Sequence, residues 1–291
     1  NFRPGTLERW GLDVETLWAA NPRLVVLRLS GFGQDGPSRE MSGLARIFEA
    51  MGGLTAISGS EDRPPMHTGY PIGDPIGGLF GAFAIMAALH HREKSGEGQY
   101  IDISMLDAQV AWLTYQAAFF FANGEAPKRM GAAHPTLVPY QAFMCNDGKY
   151  INVAVGSERI WGRFCQGMGR EDLKDHPDYA TNSVRVNHRG AMVSMLQEIF
   201  LTRPVAEWVE DLQAANVPCG PINDLADVFA DPQVLARNMY LEMPHPTLGS
   251  IKQTGLPIKF SLTPGGLDRH PPLLGEHNQE ILQSLGYSDA D

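Results

Sequence analysis

The chain has 291 residues, 23 Lys and Arg against 33 Asp and Glu for a formal charge of −10, and 43% hydrophobic residues. That length fills one large domain or two smaller ones with their own cores. An acidic balance with no basic cluster speaks against nucleic-acid binding, and Cys145, Cys165 and Cys219 give neither a disulfide framework nor a zinc spacing. Such cysteine usage fits a reducing compartment, cytoplasmic or, in a eukaryote, the mitochondrial matrix. No secretory signal is visible, and the most apolar helix candidate, about 75–89, is Gly-rich and too short to span a bilayer.

Residues 6–20 read as one helix, capped by Thr6, with Leu7, Trp10, Val14 and Leu17 along a stripe, until Asn21-Pro22 breaks it. LVVLRL at 24–29 is a short buried strand, followed by a Gly-rich loop over 30–37 and a helix near 43–52. A polar loop covers 59–65. After Asp74, the run PIGGLFGAFAIMAALHH is a strong helix whose basic last turn at 90–94 suits the helix dipole. A turn at 95–98 leads to the strand YIDIS at 100–104 and a helix over 106–122. Strand, loop, helix, strand, helix is the order of a parallel α/β sheet. Residues 124–142 are rich in Pro and Gly and read as a linker crossing a surface. Beyond it come a strand at 149–155, helices near 157–168, 185–201 and 205–215, and a stiff loop at 218–223. Short strands over 240–263, an extended piece at 271–275 and a helix at 277–285 follow, and the last residues, 287–291, read as the start of another short helix.

Two motifs invite a chemical reading. Gly31-Phe32-Gly33-Gln34-Asp35-Gly36 matches G-x-G-x-x-G after a strand, but Pro37 and a polar stretch follow where a helix should open. No acidic residue ends a second strand at the required spacing, so a turn passing close to a ligand is preferred over a dinucleotide site. Asp74 lies in GYPIGDPIGG (69–78). With Pro75 behind it, Asp74 suits a helix cap. It also suits nucleophilic attack on an acyl group: Gly73, Gly77 and Gly78 leave room for a substrate, the helix N-terminus keeps the carboxylate ionised, and N–H groups near Gly77 and Gly78 are candidate oxyanion donors. On the residues alone both readings stand. The nine histidines show no metal-ligand spacing, and neither H-E-x-x-H nor G-x-S-x-G is present. Gly131–His134 reads equally as a mobile lid or a plain linker.

Seven stretches, in order, carry a resemblance: NFRPGTLERWGLD (1–13), NPRLVVLRLSGFGQDGP (21–37), GYPIGDPIGG (69–78), AAHPTLVPYQAF (132–143), VPCGPIND (217–224), FADPQVLAR (229–237) and PPLLGEH (271–277). Together they closely resemble the class III CoA-transferases, the CaiB/BaiF group that includes formyl-CoA transferase and succinyl-CoA-dependent enzymes. The resemblance implies an α/β fold, with a Rossmann-like large domain holding a parallel sheet and a smaller α+β domain, in an interlocked homodimer. Residues 1–124 would belong to the large domain, 125–145 to a linker, 146–240 to the small domain and 241–291 to a return segment. Family members carry further residues ahead of Asn1 and a little past Asp291, so the resemblance implies a chain lacking the family's first part.

The resemblance places the family's nucleophile on Asp74 and CoA contacts on Asn1, Phe2, Arg3 and Arg9, with a further region at Ser42, Gly43, Leu44 and Ala45. The family's mobile glycine loop corresponds loosely to Gly131–His134, where the glycine run itself is missing. Asp74 would attack an acyl-CoA, form a mixed anhydride and then an aspartyl-CoA thioester, and pass CoA to an acceptor acid, with no metal or resident cofactor. Arg129 and His134 are candidates to meet a second carboxylate of a dicarboxylic substrate. An α-methylacyl-CoA racemase of the same fold would need a histidine where Leu44 follows Gly43, and leucine cannot move a proton. A non-catalytic CoA-binding homologue would not need Asp74. The expected partners are acyl-CoA, a small carboxylic acid and a second copy of the chain, with no nucleic acid and no membrane.

Overall fold

The computed structural model describes residues 1–288; the start of a helix expected at the chain's end falls partly on 289–291, outside the described residues. The N-terminal helix is two pieces, α1 (Thr6–Arg9) and α2 (Val14–Ala20). Gly11, with φ 69°, separates them, and Asp13 restarts the helix by accepting the Thr16 N–H at 2.8 Å. β1 (Val26–Ser30) then pairs in parallel with β2 (Tyr100–Ser104), Val26 opposite Tyr100 and Ser30 opposite Ser104. The crossover between them carries α3 (Ala45–Met51), α4 (Leu54–Ile57) and the long α5 (Gly73–Ser95).

Glycines set how α5 lies on the sheet. A Cβ on Gly81 would stand 3.2 Å from Leu27, and one on Gly77 would stand 3.4 Å from Met105 and 3.6 Å from Leu29. The helix stops at Gly96, whose φ of 82° is the left-handed conformation glycine adopts freely. The predicted helix over 106–122 is also two, α6 (Met105–Ala111) and α7 (Thr114–Asn123). Thr114 stands at the break with φ 48°, a conformation costly for a β-branched residue.

The second sheet is antiparallel: β3 (Tyr140–Met144), β4 (Tyr150–Ala154) and β5 (Cys219–Pro221). It is covered by α8 (Glu158–Gly167), α9 (Asn182–Asn187), α10 (Arg189–Phe200) and α11 (Val205–Ala214). This lobe holds the main core, in which Phe143, Trp161, Phe164, Phe200, Trp208 and Leu212 are buried. The Phe200 ring lies 4.8 Å from Phe143 and 5.2 Å from Trp208. The expected linker over 125–145 therefore ends in a ladder-bonded strand, because Tyr140–Met144 pairs antiparallel with Tyr150–Ala154 and buries Phe143. Beyond the lobe lie α12 (Leu225–Ala230), α13 (Pro232–Ala236), the hairpin β6 (Tyr240–His245) with β7 (Gly249–Thr254), and α14 (Asn278–Ser284).

The linker is bonded at both ends. Arg129 donates to the carbonyls of Ser60 at 3.1 Å and Arg63 at 3.0 Å, and the Gly131 N–H reaches the Gly59 carbonyl at 2.8 Å. On the other side the Asn182 amide bonds the Thr136 carbonyl at 2.8 Å and accepts the Val138 N–H at 3.1 Å. Buried Arg185 donates to the Val138 carbonyl at 2.7 Å. Among the described residues no helix is long and apolar enough to cross a membrane.

Candidate active site

A cavity of about 570 Å³ opens where β1 ends. It is lined by Asn1, Phe2 and Arg3 from one stretch of sequence, by Ser42, Gly43 and Leu44 from another, and by Leu29, Gly31, Phe48 and Met105. The Arg3 guanidinium hydrogen-bonds the Ser42 hydroxyl, so the two predicted CoA-contact stretches are joined directly. Ala45 is buried and does not line the cavity, and Arg9 also lies off it, with its guanidinium on the Thr6 hydroxyl at 3.1 Å. Phe48 explains two of the glycines. A Cβ on Gly31 or Gly43 would stand 2.3 or 2.5 Å from its ring, and Phe32 packs edge-on to the same ring at 5.2 Å. The close approach expected of the G-x-G-x-x-G loop is thus made to a phenylalanine. No helix opens at Gly36; the next one, α3, starts at Ala45.

Asp74 is the second residue of α5, exposed, and its carboxylate has no hydrogen-bond or ion-pair partner among the described residues. The capping expectation is overturned. Ile72, with helical φ −64° and ψ −21°, precedes the first helical residue, Gly73, so the Asp74 carboxylate lies inside the first turn, where the helix dipole favours its charge. Its flanking glycines do different jobs. Gly73 is buried, and a Cβ there would meet the Ala45 carbonyl oxygen at 3.1 Å and the Gln109 amide at 3.2 Å. Gly77 is packed on Leu29 and Met105, two residues of the cavity wall. Only Gly78 faces open space. Gly77 and Gly78 stand fifth and sixth in α5, where helical geometry commits their N–H groups to the carbonyls of Gly73 and Asp74. They are therefore not the oxyanion donors expected from the sequence; open amides belong to the first turn.

Sequence reasoning missed Glu49. Its side chain is almost wholly buried, with Oε1 accepting the Gly73 N–H at 3.2 Å and Oε2 lying 3.4 Å from His67 Nδ1. The Thr55 hydroxyl lies 3.2 Å from the same nitrogen. The available signal was a charge set next to Phe48 and four residues after Ala45, both buried, on the inner face of α3.

Arg129 and His134 do not line the cavity. Arg129 is engaged by the loop carbonyls described above. His134 Nδ1 accepts the Thr136 N–H at 3.2 Å, while its ring stacks on Tyr140 at 5.1 Å and Tyr115 at 5.9 Å. Burial, and next the Arg189 guanidinium, push the His134 pKa down. Burial pushes the Cys165 thiol up to about 12, which leaves it inert at neutral pH. Among the described residues no group of His, Cys, Asp and Glu is arranged to hold a metal ion.

A parallel α/β crossover unit joined to a compact α+β lobe, with a bare carboxylate at a helix entry beside a cavity, defines an α/β protein with an enzyme-like site. The chain belongs to CoA-transferase family III, whose model matches residues 1–278. It is 36% identical to the succinyl-CoA–D-citramalate CoA-transferase of Chloroflexus aurantiacus, covering 98% of this chain and 71% of that protein. It is 37% identical to the human succinyl-CoA:glutarate CoA-transferase, covering 99% of this chain and 66% of that protein. The crystal structure of a CaiB/BaiF family protein from Brucella suis superposes with a TM-score of 0.84 at 37% identity, over 98% of this chain and 74% of that one.

Proposed function

We propose that this chain moves CoA from an acyl-CoA to a carboxylic acid, with Asp74 as the nucleophile. The observation that carries the reading is the bare Asp74 carboxylate in the first turn of α5, on a helix packed against Leu29 and Met105 of the cavity. The Asp74 carboxylate attacks the thioester carbonyl, the C–S bond breaks, and a mixed anhydride and CoA thiolate form. The thiolate then attacks the aspartyl carbonyl carbon, releasing the donor acid as its carboxylate and leaving an aspartyl-CoA thioester. The acceptor carboxylate attacks that thioester, a second anhydride forms, and the expelled thiolate takes the acceptor acyl group, restoring Asp74. Covalent catalysis divides one difficult exchange into easier steps. The cavity formed by Asn1, Phe2, Arg3, Ser42, Gly43 and Leu44 is the CoA-facing surface in this reading.

The relatives named above take succinyl-CoA and pass CoA to citramalate or glutarate, which supports succinyl-CoA as donor and a dicarboxylic acid as acceptor here. Leu44, at the position a racemase would give to histidine, supports transfer over isomerisation. A homodimer is the proposed working form, supported by the exposed apolar side chains of Leu79, Phe83 and Met86 on α5 and Phe121 on α7. Three free cysteines support a reducing compartment, cytoplasm or mitochondrial matrix. The test is Asp74→Asn and Asp74→Ala in the dimeric enzyme, assayed with succinyl-CoA and glutarate. Each should lower transfer by about three orders of magnitude or more with melting temperature unchanged. Hydroxylamine trapping followed by mass spectrometry should label Asp74 in the wild type; transfer persisting in Asp74→Ala would sink the assignment.

A further inference from the structure

Nothing in the motifs singles out Glu49, yet it joins the two halves of the site. It sits on α3, the helix whose Ile47 and Phe48 form part of the cavity wall. Its own carboxylate is not part of that wall but is buried in the protein, where it accepts the N–H of Gly73, the residue bonded to Asp74. A buried carboxylate requires partners for its oxygens. Here one oxygen is spent on the backbone of the nucleophile's own turn and the other faces His67, itself held against the Thr55 hydroxyl. Gly73 cannot slide away from this contact. The Ala45 backbone and the fully buried Gln109 side chain wall it in, and neither polar atom of the Gln109 amide has a hydrogen-bond partner among the described residues. The first turn of a helix is ordinarily its least constrained, because its N–H groups lack intrahelical partners.

We propose that Glu49 is a positioning residue for Asp74: its buried carboxylate fixes the Gly73 N–H and so sets the direction in which the neighbouring carboxylate leaves the helix. Glu49 touches neither the thioester nor the acceptor. Because α3 also forms cavity wall, the same helix that meets the bound acyl-CoA holds the nucleophile's turn. Small misplacements of a reacting atom cost rate out of proportion to their size, so the effect belongs in turnover rather than in binding.

The inference rests on Asp74 being the nucleophile, and the experiment separates the two. In the full-length dimeric enzyme, Glu49→Ala, Glu49→Met and Glu49→Gln are assayed with succinyl-CoA and glutarate, alongside hydroxylamine trapping and thermal melting. Glu49→Ala and Glu49→Met remove the acceptor and should lower kcat at least tenfold while KM for succinyl-CoA stays within about twofold. Glu49→Gln keeps an oxygen for the Gly73 N–H and should restore most of the rate. Wild-type kcat in Glu49→Ala, or a rise in KM with kcat unchanged, overturns the proposal. So does a Glu49→Gln enzyme as slow as Glu49→Ala, or loss of folded protein in both Glu49→Ala and Glu49→Met, which would make Glu49 a purely structural residue. A trapped label away from Asp74 sinks the nucleophile assignment instead, and the proposal with it.

Discussion

At the scale of single residues, His134 shows how a side chain chosen from the sequence for one job is held in another. Its ring is stacked between Tyr115 of α7 and Tyr140 of β3, so it ties that helix to that strand. Its Nδ1 accepts from Thr136, which fixes the neutral form. Burial first, and then the Arg189 charge, hold its pKa below the ordinary 6.5. The folded state therefore resists a proton that the unfolded chain accepts. His134 contributes its full stability above the unfolded value, and loses it as pH falls from 6.5 towards the lowered folded value. The check compares wild type with His134→Phe, which keeps an aromatic ring in the stack. The melting temperature of the wild type should fall further between pH 7.5 and pH 5 than that of the variant; equal falls would remove His134 from the acid response.

At the scale of elements, the glycines around Asp74 separate packing from access. A Cβ on Gly78 meets nothing within 4 Å, whereas one on Gly73 meets a backbone oxygen at 3.1 Å. Gly78→Ala should stabilise the protein by about 0.5–1 kcal/mol through helix propensity. Gly73→Ala should destabilise it by about 1–3 kcal/mol, because α3 must give way. Urea unfolding of both variants reads the difference, and a stabilised Gly73→Ala would contradict the packing described. The sequence pattern made the crossover legible: LVVLRL and YIDIS are apolar and β-branched, and after Gly81 the run following Asp74 has no glycine or proline until Gly96. What it hid were interruptions set by single backbone angles. Gly11 and Thr114 each end a stripe that continues in side-chain pattern, so 6–20 and 106–122 each read as one helix. β3 was hidden for a different reason. Its five residues follow a Pro-rich stretch, and its role depends on pairing with Tyr150–Ala154, a contact no local window contains. Asp74 stood out because glycine and proline surround it, whereas Glu49 required knowing which face of α3 turns inward.

At the scale of the molecule, cohesion is unevenly distributed. The buried cluster built on Phe143, Trp161, Phe164, Phe200, Trp208 and Leu212 is drawn entirely from residues 138–217. Among residues 1–124 the buried apolar side chains are few, chiefly Val26, Ala45, Phe48, Ile76, Ala88 and Ala108, while Phe83 and Phe121 are 73% and 81% exposed. Local stability follows local burial, so the two parts should open with different free energies. Lys128 lies in a stretch without regular structure, its exposed side chain paired only with the equally exposed Glu61 at 3.1 Å, and Lys259 lies in another beyond the β6–β7 hairpin. Limited trypsin treatment of this chain should therefore cut first at these lysines and leave a resistant fragment of about 129–259, while the part preceding it is degraded. Phe200→Ala removes a ring that touches Phe143 and Trp208, at a cost of about 3–5 kcal/mol. That variant should abolish the resistant fragment. Mass spectrometry of the digest decides the matter: survival of the segment containing β1, α5 and β2 in preference to the small lobe would show that its exposed apolar helices carry cohesion of their own.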